Sequence, residues 1–193
     1  MSGKLYGVTE IYMIAVKAFR SLPRFIRGKR SGLISDRFQE RLMLSVTAVN
    51  KCAMCSYAHT EMALKAGLKP DEIRMFLDEG DFPDLPEDEM KAVLFAEHYA
   101  DRRGKPDKAV WKEILSHYGK DRALAILSVI RIIMMGNALG IVFGSVSSRI
   151  HGEKGDERSR PSYEIAVLLL LLPMVILAIP HALVLGIFRN NLI

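Results

Sequence analysis

The sequence predicts an all-α fold, a helical domain followed by one more helix apolar enough to cross a membrane. Three observations carry this. No run alternates with period two between turn residues, so strand signals are absent. Apolar residues recur instead at helical spacing along most of the chain. Finally, Ile165 to Phe188 is 24 residues without a formal charge, and about 20 are enough to cross a hydrocarbon core.

With 193 residues, a net charge of +5, half of the residues hydrophobic and a quarter charged, the chain has room for one domain and an appendage. Basic residues gather near its start. Lys17, Arg20, Arg24 and Arg27 step onto one side of a helix, with Lys29 and Arg30 after them, and Pro23 is expected to start a new helical segment there. The set reads as a solvated face or as a surface lying on anionic lipid. No aromatic platform or recognised motif accompanies it, so nucleic acid is not an expected partner. The apolar run Ile11 to Val16 is too short, between Glu10 and Lys17, for a secretory signal.

Next, "SDRFQERLMLSVTAVN" offers Asp36 as an N-cap with Gln39 three residues on, then a stretch apolar on most sides, the pattern of a buried helix. The helix in "NKCAMCSYAHTEMALKAG" is closed by Gly67. "KPDEIRMFLDEG" has a proline near its start and Gly80 at its end. In "LPEDEMKAVLFAEHYADRRG", Ala92, Val93, Ala96, Tyr99 and Ala100 share a face with Glu97 at its edge. After Pro106, Val110, Ile114 and Leu115 mark a short helix. Ala123 to Ile150 is a long apolar one whose Gly136, Gly140 and Gly144 recur every four residues, a spacing that lets helices approach closely.

The predicted organisation is a domain over 1–151, a polar linker over 152–163 and a transmembrane helix over 164–189. Arg149, Lys154, Arg158 and Arg160 precede the span and Arg189 alone follows it, which predicts a single pass with the domain on the cytoplasmic side. A linker of about a dozen residues reaches at most about 40 Å, which keeps the domain close to the bilayer.

The chain has two cysteines, Cys52 and Cys55. One bridge across two intervening residues closes almost no chain, so they are no disulfide framework. Without a secretory signal they are expected to face a reducing cytosol as a dithiol. At about 100° per residue, positions 52, 55 and 59 fall within an arc of roughly 60° on a helix. Cys55 and His59 stand at i and i+4, where an imidazole can take a thiol proton or hold a thiolate. Cys52 lies near the helix start, where amide groups and the dipole also favour a thiolate, so this reasoning leaves open which sulfur attacks. Two thiols at i and i+3 can close a disulfide with little movement. The competing readings are a zinc site that recruits His98 or His117 as a fourth ligand, and two cysteines that are simply buried. No dinucleotide fingerprint occurs, and no cofactor is expected.

The stretch Leu33 to Gly67 resembles the alkylhydroperoxidase D (AhpD)-like branch of the carboxymuconolactone decarboxylase-like superfamily, whose signature is a glutamate and then C-x-x-C-x-x-A-H on the next helix. Glu40, Cys52, Cys55, Ala58 and His59 occupy those positions. The later "LPEDEMKAVLFAEHYADRRGKPDKAVWKEIL" looks like the helices that follow, so the likeness covers about residues 30 to 150. It implies an AhpD-like helical domain assembled into homo-oligomers, with thiol-dependent peroxidase or disulfide-reductase activity on a hydroperoxide or a protein disulfide. Carried over by position, Cys55 attacks the peroxide and becomes a sulfenic acid, Cys52 resolves it as a disulfide, and His59 and Glu40 relay protons. An external dithiol, thioredoxin-like or lipoyl-bearing, resets the pair. Ala53 and Met54 depart from the pattern, since the best-known AhpD proteins carry a histidine between the cysteines; this bears on activation and on the electron donor. Other readings are a membrane-tethered disulfide carrier or sensor with little peroxide turnover, and a decarboxylase or lyase of the same superfamily.

Overall fold

A single long helical run, α6 (Lys108–Ile150), is the spine against which α1 (Val8–Arg30), α2 (Asp36–Asn50), α3 (Ala53–Lys65) and α5 (Glu87–Asp101) pack. In this computed structural model, which describes residues 3–79 and 85–188, there are seven α-helices and no strand among the described residues. Gly119, at φ 72° and ψ 166°, divides α6 into the short and long segments that the sequence predicts, in a conformation that side chains avoid. The long segment is buried on several sides at Leu127, Ile130, Met134, Ala138 and Val142. α4 (Pro70–Arg74) runs into a π-helical turn, Met75–Glu79, beside α2. The helix end expected at Gly80 lies outside the described residues.

Pro23 does not open a new segment: α1 continues through it to Arg30. Packing explains the difference, because α1 lies between α6 and the last helix, and Gly28 lets its backbone approach Ala125 so closely that a Cβ would sit 2.8 Å from that side chain. The basic residues of α1 also part company. Lys17 turns inward and donates to the Gly104 carbonyl at 2.5 Å, whereas Arg27, Lys29 and Arg30 are exposed.

α2 is buried on most sides, as predicted, but its cap is Ser35 rather than Asp36: the serine hydroxyl accepts from Phe38 N at 3.1 Å. Phe38, Leu42, Leu44 and Val46 are at most 1% exposed, and each such side chain contributes about 1.5–3 kcal/mol of burial. One cation sits among them. Arg41 donates to Glu72 at 2.7 Å and to Glu89 at 2.6 Å, tying α2 to α4 and α5. The face of α5 from Ala92 to Ala100 points into the core as expected, and Trp111 packs on Phe95.

α7 (Pro161–Phe188) follows a connection that is tied to the domain. Arg158 donates to the carbonyls of Lys4, Asn50 and Lys51, and Arg149 pairs with Glu164 at 3.1 Å. α7 then runs beside α1 in the same direction. Tyr163 donates to the Tyr6 carbonyl at 2.6 Å, His181 Nδ1 lies 2.8 Å from the Tyr12 hydroxyl, and Ala178 and Ala182 pack on Ala15 and Val16. Among the described residues two helices are long and apolar enough to cross a membrane. Of the most apolar 18-residue window, 72% is buried inside the fold in α6 and only 22% in α7, so α7 is the candidate span.

Candidate redox site

The site is built by a very short connection between α2 and α3. α2 ends at Asn50; Lys51 adopts a left-handed conformation, φ 51°, and donates its N–H to the Thr47 carbonyl at 2.7 Å; Cys52 is then extended and caps α3. The left-handed region is unfavourable for a residue with a side chain, and its presence here folds α3 directly back on α2. Cys52 is therefore a cap rather than a member of the helical arc expected for positions 52, 55 and 59. Its sulfur accepts from Cys55 N at 3.3 Å, which places it at the positive end of α3.

The sulfurs of Cys52 and Cys55 are joined as a disulfide. The backbone of α6 faces them. Cys55 Sγ lies 3.6 Å from the Gly136 carbonyl oxygen, and a Cβ added at Gly140 would sit 2.5 Å from Cys55 Sγ and 2.8 Å from Cys52 Sγ. The glycines read as packing positions are thus the surface on which the cysteine turn rests. Ile141 and Leu5 complete the apolar wall. Both cysteines are buried, Cys52 fully and Cys55 at 7% exposure, so Cys55 is the less enclosed of the two residues.

One turn after Cys55, His59 Nδ1 is 2.8 Å from Glu40 Oε2. Glu40 is buried on α2, and its other oxygen accepts from Gln39 Nε2 at 3.1 Å. With Nδ1 turned to the Glu40 carboxyl, the ring leaves its other nitrogen, Nε2, for a second partner. The structure thus brings Glu40, Cys52, Cys55 and His59 into one α2–α3 unit. His98 and His117 lie elsewhere: His98 Nε2 accepts from Asp107 N, and His117 is beside Lys91.

Two residues of this neighbourhood escape a reading of the motif. Asn137, next to Gly136 on α6, accepts from the Thr47 hydroxyl at 3.1 Å while its own Nδ2 is buried without a partner, and the Gln39 carbonyl oxygen beside Glu40 is likewise unpaired. A lone amide in the apolar stretch Ile126 to Val142 was the available signal. A groove of about 740 Å³ opens beside the cysteine turn, between Met54 and Tyr57 of α3, Gly140 and Gly144 of α6, and Lys154 and Arg158 of the connection.

The model of the carboxymuconolactone decarboxylase family matches residues 17–98. No curated protein and no solved structure gives a significant match to the chain.

Proposed function

We propose, from the match of residues 17–98 to the carboxymuconolactone decarboxylase family, that the chain is a thiol-dependent peroxidase or disulfide oxidoreductase of the AhpD-like kind. The observation that carries this is the shared α2–α3 unit: two sulfurs within bonding reach, and an imidazole one turn away held by a buried carboxylate.

In the reduced protein His59 Nε2 takes the Cys55 proton, and the thiolate attacks one oxygen of the hydroperoxide. The O–O bond breaks, Cys55 becomes a sulfenic acid, and the departing alkoxide takes the proton back from the imidazolium, on which Glu40 fixes the ring and offsets the charge. The Cys52 thiol then condenses with the sulfenic acid, releasing water and giving the disulfide form described above. An external dithiol, thioredoxin-like or lipoyl-bearing, attacks Cys55, the less buried residue of the pair, and leaves oxidised while both cysteines regain their protons. Burial of the pair suits a small peroxide. We assign the chain to a homo-oligomer on the family resemblance.

α7 gives this chemistry an address. We place α7 across a membrane as a single pass, with the domain on the cytoplasmic side. Crossing requires α7 to leave α1, because Glu10, Lys17 and Arg20 on α1 cannot follow it into hydrocarbon. A second reading, a membrane-bound disulfide carrier with little peroxide turnover, is favoured by α7 itself, which limits the partners within reach.

Mass spectrometry after brief exposure to one equivalent of hydroperoxide tests the cycle. An intramolecular Cys52–Cys55 bridge that forms, and reverses with dithiol, is the expected result; peroxide consumption that survives Cys55→Ser would remove the proposal. Consumption far slower than bridge exchange with a partner dithiol would select the carrier. Extraction by alkaline carbonate would remove the spanning assignment.

A further inference from the structure

Asn137 carries an amide that the disulfide form leaves half unused. The residue is fully buried on α6, and its Oδ1 accepts from the Thr47 hydroxyl at 3.1 Å while its Nδ2 has no partner. A buried donor without an acceptor is costly, and folded interiors hold few of them. Turning the amide over would not remove the cost, because Thr47 would then engage Nδ2 and strand the oxygen.

The helical frame of α6 fixes where this amide points. At about 100° per residue, Asn137 projects between the directions of Gly140 and Ile141 and stands one turn before them. Those two residues flank the sulfurs: a Cβ at Gly140 would meet both of them, and Ile141 packs with Cys52 and Cys55. Gly136, immediately before Asn137, brings its carbonyl oxygen to 3.6 Å from Cys55 Sγ. From the other side Thr47 ties the amide to the cysteine turn, since the Thr47 carbonyl accepts from Lys51 N at 2.7 Å, one residue ahead of Cys52. Cys52 is the sulfur in need of a donor. It is fully buried, and among the described residues it accepts from Cys55 N alone, at 3.3 Å. A thiolate formed there is shut away from water, which makes it expensive unless a further donor meets it.

We infer that Asn137 Nδ2 is the donor that receives the Cys52 sulfur when the disulfide opens, and that Thr47 aims it. The inference rests on the thiol–disulfide cycle proposed above. When a thiolate of the external dithiol attacks Cys55, a mixed disulfide forms there, the Cys52–Cys55 bond breaks, and its electron pair leaves with Cys52. Rotation about the Cys52 Cα–Cβ bond turns that thiolate to the amide. The second thiol of the reductant then displaces Cys55, and the protons shed by its two thiols end on the two cysteines. The reductant leaves as a disulfide. Because the amide bonds sulfur only after the bridge has opened, it favours the reduced pair over the oxidised one.

The test is the reduction potential of the pair in the full chain in neutral detergent, read by equilibration with dithiol buffers and alkylation. Asn137→Leu keeps the branched shape and removes the donor. The exchange equilibrium should move roughly tenfold towards the disulfide, which at about 30 mV per tenfold lowers the potential by about 30 mV. Thr47→Val, a milder change, should give a smaller shift of the same sign, and adding it to Asn137→Leu should give no further shift, since Thr47 acts through the amide. Melting supplies a second reading: in Asn137→Leu the reduced protein should lose more stability than the oxidised one, which is relieved of an unpaired donor. An unchanged potential with equal melting losses in both states would make the amide a structural element and overturn the inference. Neither reading needs peroxide. A lowered potential in a chain that consumes no hydroperoxide would remove the proposed peroxidase and leave this inference standing, whereas peroxide consumption with an unshifted potential would remove this inference alone.

Discussion

The contact between α6 and the cysteine turn gives the sharpest prediction. Gly140→Ala adds one carbon, which would fall 2.5 Å from Cys55 Sγ and 2.8 Å from Cys52 Sγ, whereas non-bonded heavy atoms prefer about 3.5–4.0 Å. The overlap is therefore about 1 Å against two atoms at once, and an extra methyl in a packed interior costs about 1–3 kcal/mol. The two redox states do not bear this cost equally. In the disulfide each sulfur is locked by the other, while in the dithiol each can turn away by rotation about its own Cα–Cβ bond. The substitution should destabilise the oxidised form more, making the pair a stronger oxidant. With about 30 mV for each 1.4 kcal/mol, the reduction potential should rise by up to roughly 60 mV. Equilibration in dithiol buffers of graded potential, followed by alkylation and mass measurement, reads this directly. Melting of both forms supplies the control, because the oxidised protein should lose more stability than the reduced one. An unchanged potential with equal melting losses in both states would refute the reasoning.

Three further predictions concern other residues. Glu40→Gln keeps the shape of the His59 partner but removes its charge, so the peroxide step should slow by about 10²–10⁴-fold, the range of a general acid–base contribution; a rate within twofold of wild type in single-turnover assays would remove Glu40 from the relay. Burial raises the Glu97 carboxyl to about 7 from an ordinary 4.5. The folded state then holds a proton that the unfolded chain has lost, so stability falls as pH rises from about 4.5 to 7, by on the order of 1 kcal/mol once partial exposure is allowed for. Glu97→Gln should flatten that part of the denaturation-midpoint profile, and an unaltered slope would contradict the assignment. Arg41→Ala strands two carboxylates in and near the core and should cost about 3–5 kcal/mol in denaturant unfolding; a loss under 1 kcal/mol would show that water reaches Glu72 and Glu89 freely.

Much of the architecture was legible because burial repeats along helices. The α5 face and the break in α6 follow from apolar spacing and from one glycine. What escaped notice depends on contacts distant in sequence. Pro23 is tolerated inside α1 because two other helices hold that helix, and Lys17 turns inward because the turn at Arg103 and Gly104 offers it a carbonyl. The site shows the same division. The thiol pair and His59 stand out by spacing, whereas Glu40 alone resembled an ordinary residue near a helix start. Its pairing with His59 depends on the left-handed Lys51, which nothing in the residue type announces. The amide of Asn137 was visible as a residue but not as the partner of Thr47.

The guanidinium of Arg158 grips the backbone at Asn50 and Lys51, immediately ahead of Cys52, and does so from the segment that leads into α7. A tug on the terminal helix is therefore delivered to the peptide that sets the direction of the first sulfur. If α7 spans a bilayer as proposed, lateral tension or thinning would reach the cysteine pair through this short connection, and a chain severed after Ile150 would lose that mechanical link.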